Sequence, residues 1–173
     1  MTTLTLGSMF SGIGAIELGL IEGFKRQGIN IKTLWQVEQD KKCHPILRRH
    51  FPEAQLLEDV NDEKTENHIK QHPTEIVCFG FPCQDVSVAG RGEGLDGARS
   101  GLFFRAWELS ILARSEYIFM ENVPMLVVRG LPRICATISA SGYRVEWTTL
   151  SAGSCGAPHR RDRWWGVAYP DRN

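Results

Sequence analysis

Short apolar runs alternate along this chain with longer segments in which apolar residues recur every three or four positions. The short runs predict strands, and the longer segments predict amphipathic helices. Strands are expected at residues 3–10, 31–37, 54–58, 76–79, 117–120, 143–150 and 164–168. Helices are expected from about 13 to 28 and at 40–50, 63–72, 102–113 and 130–141. This alternation predicts an α/β fold, with a single domain over residues 1–173, a doubly wound, mostly parallel sheet and a C-terminal antiparallel strand.

The composition is that of an ordinary globular protein. Of the 173 residues, 42% are hydrophobic and 23% are charged, which are common values. Because no apolar run is long enough for a membrane span and the N-terminus lacks a signal pattern, a cytoplasmic location is expected. Five scattered cysteines, none spaced as Cys-x-x-Cys, argue against a disulfide framework and a zinc site. All histidines except His159 are expected on helix surfaces, and no metal is predicted.

The most distinctive stretch is residues 75–90, EIVCFGFPCQDVSVAG. A buried strand is expected to end at Gly80, Phe81 and Pro82, and Cys83 follows directly. Functional groups of an open α/β sheet lie at the carboxyl ends of its strands. A thiol on a turn stiffened by Pro82 is well held for nucleophilic attack. The alternative is that Cys83 is a small apolar residue near a turn.

A glycine-rich turn, SGIGA at residues 11–15, separates the first strand from the first helix. Such a turn lets a ligand approach the backbone and meet the helix N-terminus. The dinucleotide fingerprint is not met, since Glu17 stands where its third glycine belongs. Glu38, at the tip of the second strand, either accepts hydrogen bonds from ribose hydroxyls or is an exposed strand-end carboxylate. Together the turn and the acid suggest a cofactor that contains adenosine.

Asp59 and Val60 follow the third strand and have two interpretations of equal weight. In one, Asp59 receives an adenine amino group while Val60 packs on the ring. In the other, Asp59 or Asn61 only caps the polar helix near residues 63–72. Asp40 is expected to cap the N-terminus of the helix at residues 40–50.

Glu121 and Asn122 are expected to leave the sheet after the fifth strand. A desolvated carboxylate is costly unless it has a partner or a role. A Cys combined with a Glu points away from proteases and suits attack on an electron-poor ring whose nitrogen the Glu protonates. The glycine-rich loop at 90–101 is long enough to be a lid. Its Arg91 and Arg99 either meet phosphates or are solvated.

In these segments the chain resembles the cytosine-C5 DNA methyltransferases. Similarity to the family's motifs extends over FSGIG at 10–14, Glu38, GFPCQ at 80–84, ENV at 121–123 and HRRDR at 159–163. The Pro-Cys motif at 82–83 is the most specific of these. The motifs occur in the family's order and span residues 8–169. His159 departs from the Gln that the family usually has.

The resemblance implies the Rossmann-like fold of S-adenosylmethionine-dependent methyltransferases and methyl transfer to C5 of cytosine in double-stranded DNA. It implies that Cys83 attacks C6 of a flipped-out cytosine, that Glu121 holds N3, and that Arg161 and Arg163 anchor the Glu or the base. The cofactor-binding residues that it implies are Phe10, Ser11, Gly12, Gly14, Glu38, Asp59, Val60, Gly80 and Pro82. The substrate-binding residues that it implies are Gln84, Ser87 and Asn122.

The charge balance limits the affinity of the chain for nucleic acid. Twenty basic and twenty acidic residues give a net charge of zero, so binding to DNA rests on local arginines. The target-recognition region and C-terminal segment typical of the family are not found in these 173 residues, and a second chain is expected to supply recognition. The alternatives are a tRNA cytosine-C5 methyltransferase and a truncated, non-catalytic remnant or subunit. A bacterial or phage origin is expected, while restriction, phage protection and regulation stay open.

Overall fold

The computed structural model describes residues 2–82 and 101–172. Its strands are β1 Thr3–Met9, β2 Asn30–Val37, β3 Gln55–Leu57, β4 Ile76–Gly80, β5 Tyr117–Asn122, β6 Tyr143–Ser151 and β7 Asp162–Pro170. Its helices are α1 Ala15–Lys25, α2 His44–His50, α3 Glu63–Gln71, α4 Gly101–Leu112, α5 Leu126–Arg129 and α6 Leu131–Ala140. The chain divides into two compact units, Met1–Gly80 with Arg105–Glu116, and Phe81–Phe104 with Tyr117–Asn173. The single domain over residues 1–173 stays a prediction.

The first unit is built on four parallel strands in the order β3-β2-β1-β4. The apolar run at the start of β4 is fully buried, as its sequence predicts. Gly7 in β1 is required by packing, because the indole of Trp35 occupies the space that a Cβ at Gly7 needs. Trp35 is itself fixed by donating from Nε1 to the His72 carbonyl at 3.0 Å. Parallel pairing brings the carboxyl ends of β1, β2 and β3 to one edge of this unit.

The second unit contains three antiparallel strands in the order β5-β7-β6. Trp164 in β7 is fully buried, and its ring would lie 2.5 Å from a Cβ at Gly166. α6 packs on β6 and buries Leu131, Ile134 and Ile138. The parallel strands of the first unit, with an antiparallel pair at the C-terminal end of the second, confirm the predicted fold class.

Two strands of the second unit extend beyond their predicted limits. β5 continues to Asn122, and β7 begins at Asp162. Glu121 lies opposite Trp165, and Asn122 lies opposite Trp164. Glu121, Asn122 and Arg163 therefore lie within paired strands, where the ladder fixes their backbone, and not in the loops beyond them.

The predicted helix caps were wrong. α2 begins at His44 with Cys43 before it, and the Asp40 carboxylate instead accepts from Lys42 N in the preceding turn at 3.0 Å. Asp62 caps α3 by accepting from Lys64 N at 3.0 Å, so neither Asp59 nor Asn61 has that role. The short helix α5 was not predicted. None of the described helices is long and apolar enough to cross a membrane.

Candidate active site

The glycine turn after β1 has a backbone that few side chains tolerate. Phe10, Gly12 and Gly14 have φ values of 53°, 54° and 84°. A Cβ at Gly14 would lie 2.5 Å from the ring of Phe51, whereas a Cβ at Gly12 would meet no atom within 4 Å. Gly14 is therefore required by packing, and the backbone at Gly12 borders open space that a ligand can enter. The Ser11 and Ser8 hydroxyls lie 2.8 Å apart and steady the turn.

Glu38 joins this turn to the end of β2. Its Oε2 accepts from Gly12 N at 2.6 Å, and its Oε1 accepts from Asp40 N at 2.7 Å. A carboxylate has about four acceptor positions, so the side chain retains acceptor capacity for hydroxyl groups of a ligand. An acceptor beside an open glycine backbone can bind a ligand that carries hydroxyl groups.

His44 supports Glu38 from the start of α2 and was missed by sequence reasoning. The side chain is 6% exposed, and its Nε2 lies 2.8 Å from the Glu38 carbonyl oxygen. The expectation that His44 lies on a helix surface was therefore wrong. Pro45 was the available signal, because proline favours the first turn of a helix and would have placed His44 at the helix start, near Glu38.

Asp59 and Val60 form a turn between β3 and α3. Asp59 Oδ1 accepts from Asn61 N at 2.9 Å and from Asn61 Nδ2 at 3.2 Å. Val60 is 4% exposed, and its carbonyl accepts from Arg105 Nε at 3.0 Å. The adenine-contact role of Asp59 and Val60 stays a prediction. Arg105 was not singled out from the sequence, because its helical spacing indicated only a side chain on an amphipathic face.

Gly80 ends β4, and the half-buried Pro82 is the last described residue before the Cys83 segment. Cys83, Gln84 and Ser87, like the proposed lid at 90–101 up to Ser100, lie outside the described residues. The two residues before Cys83 are nevertheless placed. Phe81 is 3% exposed, and its ring lies 5.3 Å from that of Phe103.

Asn122 connects β5 to the residues that precede Cys83. Its side chain is 1% exposed, and its Nδ2 donates to the Phe81 carbonyl at 3.2 Å. Its Oδ1 accepts from Val123 N at 2.8 Å. Both ends of the amide are thus used inside the second unit. The substrate contact expected of Asn122 stays a prediction, whereas the observed geometry gives it a positioning contact.

Glu121 and Arg163 face each other across β5 and β7. Arg163 Nε lies 2.8 Å from Glu121 Oε1, and the two side chains are 23% and 22% exposed. Burial raises the pKa of Glu121, and the positive charges of Arg163 and then Arg161 oppose that rise without cancelling it. A carboxyl group with a raised pKa, held in one orientation by an arginine, is suited to exchange a proton or hydrogen bond with a ring nitrogen. Of the predicted catalytic residues, the structure therefore brings Glu121 and Arg163 into contact.

The comparisons with known proteins match these observations. The sequence pattern of the family described as C-5 cytosine-specific DNA methylase matches residues 4–173. The chain belongs to this family. The resemblance expected from the motifs is confirmed. Among the described residues, no group of three or more His, Cys, Asp or Glu could hold a metal ion.

Curated relatives of this chain are named type II methyltransferases. M2.BsuMI of Bacillus subtilis (strain 168) is 34% identical over 165 residues, which cover 90% of this chain and 39% of the relative. M.Bsp6I of Bacillus sp. (strain RFL6) is 30% identical over 96% of this chain and 52% of the relative. The chain thus spans about two-fifths to one-half of the length of these relatives.

Solved structures share the fold of this chain. A Spodoptera frugiperda DNMT2 mutant has a TM-score of 0.76 at 20% identity, over 98% of this chain and 50% of that one. The Entamoeba histolytica methyltransferase EhMeth has a TM-score of 0.76 at 19% identity, over 100% and 55% of the two chains. At these identities the likeness supports the α/β methyltransferase fold.

Proposed function

We propose that this chain is the catalytic part of an enzyme that methylates C5 of cytosine in double-stranded DNA. The observation that carries the proposal is the Glu121–Arg163 pair at 2.8 Å, because it presents a half-buried carboxyl group with a raised pKa. In the same unit, Asn122 holds the backbone that leads to Cys83. The type II methyltransferases among the relatives favour DNA as the substrate. The bacterial sources of these relatives favour a cytoplasmic setting.

S-adenosylmethionine is the proposed cofactor and supplies the methyl group when bound. Phe10, Ser11, Gly12, Gly14 and Glu38 would hold it, because they combine an open glycine backbone with a carboxylate acceptor. Asp59 and Val60 would meet its adenine end, and Gly80 and Pro82 would border it. This assignment rests on the residues of the turn and on the family to which the chain belongs.

The proposed reaction uses covalent catalysis on a base that is flipped out of the duplex. The Cys83 thiolate forms a bond to C6 while Glu121, protonated, hydrogen-bonds N3, so that C5 becomes nucleophilic. C5 would take the methyl group, with S-adenosylhomocysteine as the product, and would then lose its proton to a water molecule, so that the electron pair of the C5–H bond re-forms the C5–C6 double bond. The bond between Cys83 and C6 breaks, and the thiolate is released. Arg163 orients Glu121 throughout, while Arg161 adds positive charge, and Gln84 and Ser87 would contact the flipped nucleotide.

The experiment that tests this function is transfer of a labelled methyl group from S-adenosylmethionine to unmethylated duplex DNA. Cys83→Ser should abolish incorporation at cytosine and keep cofactor binding, measured by titration calorimetry. Cys155→Ser is the matched control, because Cys155 is exposed and should keep full activity. Transfer by Cys83→Ser at the rate of the unmodified chain would refute the mechanism.

The same assay separates the alternative functions. Incorporation into tRNA but not DNA would favour the RNA enzyme. Cofactor binding without transfer to either substrate would indicate that a second chain is needed. If the unmodified chain shows neither cofactor binding nor methyl transfer, a non-catalytic remnant is favoured.

A further inference from the structure

Arg105 in α4 makes three polar contacts within the first unit. Its Nε donates to the Val60 carbonyl at 3.0 Å. Its Nη2 donates to Glu66 Oε2 in α3 at 2.6 Å, and its Nη1 lies 3.4 Å from Glu108 Oε2. The Arg105 side chain is 23% exposed, whereas that of Glu108 is 67% exposed. The strong contacts of the guanidinium are therefore those to Val60 and Glu66.

The bond to Val60 differs from an ordinary surface ion pair, because its acceptor is a backbone carbonyl. An exposed ion pair joins two flexible side chains and contributes little. A charged donor on a carbonyl fixes the chain itself, and here it fixes the turn between β3 and α3. Burial lowers the pKa of Arg105, but Glu66 and Glu108 raise it by more, so the guanidinium keeps its charge.

The turn that Arg105 fixes contains the residues proposed to meet adenine. Asp59 Oδ1 is already used by Asn61 N and Nδ2, which orients the carboxylate relative to the backbone. The orientation of that backbone depends in turn on Val60, whose carbonyl Arg105 holds. Displacement of Val60 would therefore move the Asp59 carboxylate and the apolar surface beside it.

We infer that Arg105 is a positioning residue for recognition of the adenine ring, acting through the backbone of Val60. The inference rests on the proposed function, because it requires an adenosine-containing cofactor at this turn. Arg105 does not contact the cofactor. It sets the geometry with which Asp59 meets the exocyclic amino group of adenine, and so contributes to selectivity between adenine and other purines.

The test compares S-adenosylhomocysteine with S-inosylhomocysteine, in which a carbonyl oxygen replaces the amino group of adenine. The unmodified chain should bind the adenine compound at least about fivefold more tightly in titration calorimetry, the value of one ordinary hydrogen bond. Arg105→Met should weaken the adenine compound selectively and reduce the ratio to within about twofold. A merely structural role would weaken both ligands equally and leave the ratio unchanged.

Two further variants keep the test decisive if Arg105→Met folds poorly. Glu66→Gln removes the negative charge in α3 that Arg105 Nη2 contacts. It should reduce the ratio of the two affinities while Arg105 remains present. Glu108→Gln, the matched control, removes only the exposed contact at 3.4 Å and should leave the ratio unchanged. Hydrogen exchange at Asn61 should accelerate in Glu66→Gln and stay constant in Glu108→Gln.

The failures of the two proposals are distinguishable. If the unmodified chain binds neither ligand, the proposed cofactor is wrong. If it binds the adenine compound and the Arg105 and Glu66 variants retain its selectivity, the positioning role of Arg105 is overturned. Equal binding of both ligands by the unmodified chain overturns it as well, because Asp59 then does not read the amino group.

Discussion

The carboxylate of Glu38 faces two backbone N–H groups, whereas that of Glu121 faces an arginine. Glu38 accepts from Gly12 N at 2.6 Å and from Asp40 N at 2.7 Å. Glu121 is half-buried beside Arg163, at 2.8 Å. The first arrangement holds a hydrogen-bond acceptor in place. In the second, burial raises the pKa of Glu121, while Arg163 opposes that rise and orients the carboxyl group. The two carboxylates are thereby suited to different tasks, ligand binding and proton exchange.

Substitution of Glu38 should weaken cofactor binding for two reasons. Glu38→Ala removes the proposed acceptor for ribose and also leaves Gly12 N without its partner, so the glycine turn loosens. We expect a loss of about 1–3 kcal/mol, or roughly 5- to 150-fold in Kd. Titration calorimetry with S-adenosylhomocysteine measures this loss. Glu53→Gln is the control, because Glu53 is exposed and pairs only with Lys32, at 3.2 Å, among the described contacts. Unchanged affinity in Glu38→Ala would refute the proposed role of Glu38 in cofactor binding.

The Glu121–Arg163 pair gives a prediction of pH dependence. Burial raises the pKa of Glu121 and Arg163 opposes the rise, so Arg163→Met should raise the pKa further. In the folded chain Glu121 then keeps its proton at pH values above its ordinary pKa of about 4.3. Its contribution to the free energy of unfolding therefore falls as the pH rises from that value through the pKa of the folded chain. Titration of the labelled carboxyl carbon by NMR measures the shift.

Arg144→Met is the matched control for this titration. Arg144 lies in β6 and pairs with Asp171 at 2.9 Å, so its removal should leave the pKa of Glu121 unchanged. A pKa of Glu121 that falls or stays constant in Arg163→Met would contradict the prediction.

At the scale of the elements, hydrophobic periodicity predicted nearly every strand and helix but not where they end. β4 was predictable because four consecutive apolar residues are buried on both faces. The ends of β5 and β7 were not, because Glu121 and Arg163 are polar residues that remain in strands through pairing across the sheet. Glu121 pairs with Trp165, 44 positions away, and Arg163 pairs with Leu150, 13 positions away, and no local pattern indicates either pairing.

The candidate site was also predictable only in part, because some of its contacts join segments that are distant in the sequence. Glu38 and Glu121 could be singled out because a carboxylate after a buried strand is unusual. Arg105 could not, and Pro45 indicated only that His44 lies at a helix start, because the contacts of both residues are with backbone carbonyls of other segments, Glu38 and Val60. Such contacts depend on tertiary structure, and neither residue type nor spacing indicates them.

At the scale of the whole molecule, charge limits the affinity for DNA that the proposed function requires. Its 20 basic and 20 acidic residues balance, and several arginines are paired with acids, among them Arg105 and Arg163. Affinity for duplex DNA increases with the number of phosphates that basic side chains neutralise. Arg160, exposed before β7, is a candidate for such a contact beside the predicted catalytic arginines.

The dependence of DNA binding on salt tests this balance. We expect the 173-residue chain to bind a duplex oligonucleotide weakly, with log K falling against log salt with a slope of about −2 or shallower, equivalent to roughly two phosphate contacts. Arg160→Gln should make the slope shallower by about 0.9, the value of one contact. Arg26→Gln, the control, removes an exposed arginine paired with Glu22 in α1 and should leave it unchanged. Fluorescence anisotropy between 50 and 200 mM salt measures the slope, on the range over which such contacts are resolved. A slope of about −6 or steeper would show that local arginines grip the duplex despite the zero net charge, and that a second chain is not needed for affinity.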